Sequence, residues 1–485
     1  MQQLQLPKLR KVDPNTPKKK KILLLSDDLR LHSGIATMSR EFVTGTAHWF
    51  DWVQVGAAIN HPDKGKVFDI SEAVNKERGI TNANIKIYPN DGYGNDALVR
   101  ELVHLEKPDA IIIFTDPRYW VWFFHMEHEL RQQIPIIYYN IWDDVPYPFW
   151  NENFYESCDM LLNISKQTNN IVKNVVRKNP KPDWAIQYVP HGINEKQFFP
   201  IDETHPQWEE YQKTVFEVKI KNNVDFVVFW NNRNIRRKQP GDVILAYKTF
   251  CDKLTPEQAS RVALFMHTQP VDGNGTDLLA VQRAICPDYK IIFSDKPVPP
   301  HAMNYYYNLA DVTLNIASNE GFGLSGAESL MAGTPIINNV TGGLQDQCRF
   351  EDENGNWIEF DTEFSTNHTG KYKKHGIWAK PVFPSNRSLQ GSPETPYIFD
   401  DRVSFTDVAD AIKYWYDMSP DERHLAGLAG RSWVVSEESG MSSFEMCNRF
   451  KLNIENCFAN WTPRKRFAVY KASKSTPIKN NGIVI

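Results

Sequence analysis

Residues 308–343 read NLADVTLNIASNEGFGLSGAESLMAGTPIINNVTGG, and the fold is decided there. The apolar run VTLNIA, 312–317, is short and does not alternate, which predicts a strand covered on both faces. Glu320 follows in a loop, Gly321-Phe322-Gly323-Leu324 makes a turn, and Ser325 starts a helix with Glu328 in its first turn. Gly333-Thr334-Pro335 stops that helix, and Ile336 opens the next strand. The glycines let backbone N–H groups approach a ligand closely, and the helix N-terminus adds partial positive charge, so the turn favours a phosphate. Glu320 and Glu328 flank this anion pocket. A carboxylate there needs a partner other than the phosphate, and sugar hydroxyls, which donate hydrogen bonds, are the natural candidates.

The same grammar runs outward in both directions. Upstream, KILLLSDD (21–28), WVQVGAAI (52–59), IKIYP (85–89), DAIIIFTD (109–116), IPIIYYNIW (134–142), MLLN (160–163) and AIQY (185–188) are strand-like, with helix-length segments between most of them. A second series begins near Val224 with VDFVVFW, RVALFMHT, YKIIFS, VTLNIA and PIINN. Strand–helix alternation predicts parallel, doubly wound sheets. The expected class is therefore α/β, two tandem Rossmann-like domains facing a cleft. The expected divisions are a basic tail at 1–21, an N-terminal domain at 22–200, a C-terminal domain at 201–440, a closing helix at 441–462 and a second basic tail at 463–485. Between 347 and 401 the pattern fails, and that stretch is read as an insertion next to the site. Ligands of such sheets bind beyond the C-terminal strand ends, so residues just after each strand are the ones to inspect.

Composition narrows the function. Of 485 residues, 25 are Gly and 30 are Pro, too few for a collagenous or low-complexity chain. No apolar run approaches the ~20 residues of a membrane-spanning helix. The net charge of -4 hides an asymmetry: 1–21 and 461–485 each carry +6, and the rest carries -16. The body would repel DNA or an anionic membrane, and only the ends would attract them. Six scattered cysteines without a CxxC pair and the lack of a secretory pattern predict a soluble cytoplasmic protein, or one in host-cell cytoplasm if viral.

The segment 308–343 resembles the retaining glycosyltransferases of the two-domain B-type fold, specifically glycosyltransferase family 4. Their signature is two glutamates separated by seven residues, an alanine-containing helix end, Gly-x-Pro, a strand and a Gly-Gly turn. Glu320, Glu328, Ala332-Gly333-Thr334-Pro335 and Gly342-Gly343 match it, and Tyr307 to Asp311 matches the family's Tyr-x-x-Ala-Asp. Arg233 and Lys238, five apart, match the cations that hold the donor pyrophosphate in relatives, with Arg236 and Arg237 between them. Ser33-Gly34 resembles the N-terminal glycine loop. VPHGINEKQFFP resembles the family hinge through Gly192, Phe199 and Pro200, with Asn194 in place of the usual Asp. One departure is larger: where the family often has His-Asp, this chain has Trp142-Asp143-Asp144.

The resemblance implies a retaining transfer from a nucleotide-diphosphate sugar, a UDP-sugar by preference, with no obligatory cofactor or metal. It implies Glu320, Arg233, Lys238 and Asp143 in the catalytic set. Gly34, Phe322, Gly323, Leu324, Ser325 and Glu328 would bind the donor. Asp116, Trp142 and Asp144 are expected on the acceptor side. The acceptor hydroxyl is open, and a hydroxymethylated base in DNA, gripped through the basic ends, is one candidate. A sugar-nucleotide 2-epimerase of the same architecture and a non-catalytic nucleotide-binding module are the alternatives. A Rossmann dehydrogenase is disfavoured, because no G-x-G-x-x-G follows the first strand. His125 and His128, expected on one helix beside Glu127 and Glu129, read as a surface helix rather than a metal site.

Overall fold

Short runs of Val, Ile and Leu become strands with no exposed face. In the computed structural model, which describes residues 18–59, 62–360 and 366–465, Ala110–Phe114 and Ile136–Asn140 are buried at every position. The strands are β1 (Lys20–Asp27), β2 (Phe50–Ile59), β3 (Phe68–Asp69), β4 (Ile85–Asp91), β5 (Ala110–Phe114), β6 (Ile136–Asn140), β7 (Met160–Asn163) and β8 (Ile186–Tyr188). They form one sheet ordered β3-β4-β2-β1-β5-β6-β7-β8. Its pairs are parallel except β3 with β4. A second sheet uses β9 (Phe226–Asn231), β10 (Val262–His267), β11 (Ile291–Ser294), β12 (Val312–Asn315), β13 (Ile336–Asn339) and β14 (Ala379–Val382). Its order is β11-β10-β9-β12-β13-β14, all parallel.

The order of each sheet fixes where a ligand can sit. In the first, the chain winds one way from β1 to β2 and the other way from β5, so the crevice opens beyond β1 and β5. In the second it opens beyond β9 and β12. The residues there are Ser33-Gly34 and Asp116 on one side, and 232–238 and 318–325 on the other.

The stretch 347–401, expected as an insertion, is partly framework. β14 is the sixth strand of the second sheet, and β15 (Asn386–Ser392) and β16 (Thr395–Arg402) form an antiparallel hairpin. The hairpin bridges the two halves: Phe399 N–H donates to the Val145 carbonyl at 2.9 Å, and Asp401 N–H donates to that of Ser318 at 3.0 Å. The helix Ser443–Asn460 returns to the N-terminal domain, where Phe450 stacks on Phe42 with ring centroids 4.5 Å apart.

The basic N-terminal stretch is not all tail. β1 begins at Lys20, and Lys19, Lys20 and Lys21 pair with Asp51, Asp109 and Glu106 at 2.8–2.9 Å. The remainder of that tail, 1–17, and 466–485 of the other lie outside the described residues. All six cysteines are free and buried. Among the described residues no helix is long and apolar enough to cross a membrane. His125 and His128 do not share a helix, because one ends at Phe124 and the next spans Glu127–Leu130. Among the described residues no group of three or more His, Cys, Asp or Glu is arranged to hold a metal ion.

Candidate active site

The two crevices face each other across a cleft of about 840 Å³. Gly34 opens the helix Gly34–Gly45, capped by Ser33, whose hydroxyl accepts from Ala36 N–H at 3.1 Å. A Cβ on Gly34 would lie 3.4 Å from Leu324 Cδ1, so the N-terminal glycine loop and the glycine turn 321–324 meet here.

The glycine turn 321–324 is held from behind by the Gly-Gly pair. Gly343 N–H donates to the Glu320 carbonyl at 2.9 Å, and a Cβ on Gly342 or Gly343 would lie 2.1 Å from the Glu320 or Gly321 carbonyl oxygen. Only glycine permits that approach. Gln347 adds a clamp, its Nε2 donating to the Phe322 and Gly323 carbonyls at 2.6 and 2.8 Å. Gly323, at φ +84°, then turns the chain into the helix Leu324–Met331, whose first N–H groups open on the cleft.

Glu320 is buried at the centre of the cleft wall. Its Oε2 accepts from Arg237 Nη1 at 3.2 Å and from the Lys238 ammonium. Burial alone would raise this carboxyl, but Lys238 and Arg237 outweigh it and hold the group below its ordinary value. Burial in turn lowers the Lys238 ammonium, against the pull of Glu320. A carboxylate bridging two cations keeps them fixed at a point where a phosphate can take over the pairing.

Arg233 stands apart from that pairing. It is exposed at the cleft rim and pairs with Asp272 at 3.0 Å. The reason is local: the 3₁₀ turn Arg236–Lys238 turns Arg237 and Lys238 together toward Glu320, while Arg233 precedes the turn. Glu328 lies further along the cleft, where Tyr307 donates to its Oε2 at 2.6 Å and Asn231 Nδ2 donates to the Tyr307 oxygen at 2.8 Å. Burial raises the Glu328 carboxyl to about 7, only partly offset by Tyr307.

On the opposite wall, Trp142 donates its indole N–H to the Asp144 carbonyl at 2.7 Å and sets its ring edge-on to Trp150. It offers the cleft an aromatic surface but no free donor. Asp143 also lines the cleft, and burial raises its carboxyl against the pull of Arg237. Asp144 is buried behind it, and desolvation with the nearby Asp143 and Asp401 pushes it well up. Asp116 is gripped by Arg118, Nε to Oδ1 at 2.9 Å. His191, which the sequence reading did not single out, closes the back of the cleft against Phe322 at 5.2 Å. Its only sequence signal was its place three residues after a strand and next to Gly192 of the hinge-like segment.

No family model matches the chain. Its sequence is similar to alpha-monoglucosyldiacylglycerol synthase of Acholeplasma laidlawii, 29% identical over 189 residues. That match covers 39% of this chain and 43% of the relative, so the chain matches less than half the length of the curated relative. Solved structures match across nearly the whole fold. Anabaena HepE, in complex with UDP and glucose, has a TM-score of 0.59 at 10% identity, covering 90% of this chain and 99% of its own. Sucrose-phosphate synthase of Thermosynechococcus elongatus gives 0.60 at 14%, covering 91% and 100%. A trehalose 6-phosphate synthase of Burkholderia multivorans gives 0.62 at 10%, covering 91% and 99%. The fold is that of the B-type glycosyltransferases: two Rossmann-like parallel-sheet domains around a cleft.

Proposed function

We propose that the protein is a retaining glycosyltransferase that moves a sugar from a nucleotide-diphosphate sugar to an acceptor hydroxyl. The observation that carries this reading is Glu320 bridging Arg237 and Lys238 beside the turn 322–325, at the switch point of the second sheet. Breaking the bond from sugar to nucleotide diphosphate builds negative charge on the leaving phosphate and positive charge on the sugar ring. Arg237, Lys238 and the N–H groups of the turn are preorganised for the first, and Arg233 at the rim can swing onto the same phosphate. Glu320, released from its cations, orients the donor sugar and supports the positive ring. Glu328, set by Tyr307, holds the nucleotide ribose. In this reading the leaving phosphate accepts the acceptor's proton on the same face, which retains configuration.

A UDP-sugar donor is favoured by the similar fold of HepE, solved with UDP and glucose. The acceptor side, with Asp116, Trp142 and Asp143 around the cleft and Asp144 behind, offers carboxylates for hydroxyls and an aromatic face for stacking. A lipid hydroxyl, a free sugar and hydroxymethylated DNA are the acceptors to screen. The test is a donor-by-acceptor screen read by mass spectrometry, with a no-acceptor arm and with anomeric configuration read by NMR. Transfer with retention is expected. Glu320→Gln should lose transfer by about a hundredfold or more while binding UDP as before. Full activity in that variant sinks the assignment of Glu320, and donor conversion without acceptor identifies the epimerase instead.

A further inference from the structure

His191 sits three residues beyond β8 on an immobilised backbone. Gly192 N–H donates to Met446 Sδ at 3.0 Å, and a Cβ on Gly192 would lie 2.7 Å from Ser442 O and Met446 Cβ. The helix that returns from the C-terminal end therefore fixes the imidazole. The ring is walled by Phe114, Tyr139 and Phe322, all edge-on at 5.2–5.7 Å. Burial lowers it to about 3, against the pull of nearby Glu320, so the imidazole is neutral.

A neutral imidazole has one donor and one acceptor nitrogen, and the surroundings choose which. Nδ1 lies 2.8 Å from the Tyr139 hydroxyl, and Tyr139 is fully buried. Among the described residues that hydroxyl has no other hydrogen-bond partner. If Nδ1 carried the proton, the buried phenol O–H would be left without an acceptor, an unmade bond that costs about 1–3 kcal/mol. If the phenol donates to Nδ1, that loss is avoided, and the imidazole proton sits on Nε2. Nε2 has no hydrogen-bond partner among the described residues, and the ring lines the cleft with Glu320 and the turn 322–325. Trp142 cannot fill this role, since its N–H is spent on Asp144.

We propose that His191 is a donor-contacting residue whose Nε2–H, fixed by Tyr139, donates to an oxygen of the sugar–phosphate part of the donor beside Glu320. This rests on reading the cleft as a nucleotide-sugar site. Two isosteres separate the contact from mere packing. In His191→Gln the amide nitrogen falls near the place of Nε2, keeping the donor to the cleft. In His191→Asn the shorter amide turns its oxygen to the place of Nδ1, keeping an acceptor for the Tyr139 hydroxyl and losing the cleft contact.

The experiment measures kcat for sugar transfer or donor hydrolysis, with UDP and UDP-glucose affinities by calorimetry, in wild type, both His191 variants and Tyr139→Phe. Expected are UDP affinities within about twofold of wild type throughout and kcat down roughly tenfold to a hundredfold in His191→Asn. His191→Gln should stay within about fivefold, and Tyr139→Phe, which frees the tautomer, should lose several-fold. Equal activity in the Asn and Gln variants, or Asn above Gln, overturns the contact. If either His191 variant fails to fold, Tyr139→Phe decides, and wild-type kcat there overturns the proposal. A wild type that turns the donor over while the variants match it sinks the His191 role alone. A wild type that binds neither UDP nor UDP-glucose sinks the reading of the cleft, and this inference with it.

Discussion

Glu328 should leave a signature in the pH dependence of stability. Its carboxyl is raised by burial from 4.5 to about 7 in the folded chain. Between those values the folded state holds a proton that the unfolded chain has released, so stability falls as pH rises from about 4.5 through 7. Each unit is worth about 1.36 kcal/mol, giving a ceiling of roughly 3 kcal/mol above pH 7, reduced by the partial exposure of the side chain at the cleft. Glu328→Gln keeps an oxygen for the Tyr307 hydroxyl and removes the titration. The difference in Tm between this variant and wild type should therefore grow, in the variant's favour, between about pH 5 and 8. A constant difference across that range would place the Glu328 titration elsewhere. The placement of Glu320 and Glu328 on the cleft was legible in sequence because both positions follow from spacing along one loop and the helix after it. Arg237 was not, because Arg233, Arg236, Arg237 and Lys238 are chemically alike. Only the 3₁₀ turn selects which of them meet Glu320. His191 gained its role from Tyr139, 52 positions away, a relation with no local pattern.

The strand series was readable because its central parallel strands are buried apolar runs, and the outer β4, β8 and β11 keep apolar residues though they are only partly buried. The failures share a physical cause. β14 reads Ala-Lys-Pro-Val and lies at the sheet edge, where a missing N–H is tolerated and apolar patterning is relaxed. The hairpin β15–β16 buries only Asp401, and it joins the domains rather than filling a core. That joining has a testable centre. Asp401 is fully buried, accepting from Arg387 Nε at 2.8 Å and Thr341 Oγ1 at 3.1 Å, while its neighbour Asp400 accepts from Ser318 Oγ at 3.2 Å and Asn319 Nδ2 at 3.3 Å. The hairpin thereby buttresses the loop that ends in Glu320. Asp401→Asn leaves the Arg387 charge uncompensated and should cost about 2–4 kcal/mol, read as a lowered Tm. Its kcat should fall with UDP affinity nearly unchanged, because the loop loses support while the helix Leu324–Met331 keeps its own. Unchanged Tm and kcat would make the hairpin a passive surface feature.

At the scale of the whole molecule, the division of charge acquires a different shape from its sequence total. The acidic body repels a polyanion, and its clustered cations at the cleft face Glu320. Of the seven basic residues in 1–21, Lys19, Lys20 and Lys21 are paired on the first sheet, and Arg464 donates to Glu127 at 3.4 Å. The charge outside these pairs is smaller and lopsided. Residues 1–17 carry Lys8, Arg10 and Lys11 against Asp13, whereas 466–485 carry Arg466, Lys471, Lys474 and Lys479 with no acid. If the acceptor is DNA, the C-terminal segment is therefore its stronger grip. Each cation that neutralises a phosphate releases a counterion and steepens the dependence of log affinity on log salt by about 0.9. Removing 466–485 should flatten that slope by about 4 and weaken duplex binding at low salt. Removing 1–17 should flatten it by about 2. Neither truncation should lower Tm, since both stop short of β1 and of the helix Ser443–Asn460. Fluorescence anisotropy with a labelled duplex across a salt series makes the measurement. Binding with an unchanged slope in both truncated chains would move the grip onto the body, against its charge. No binding in the intact chain would leave the ends without a polyanion to hold and turn the acceptor search to neutral hydroxyls at Trp142 and Asp143.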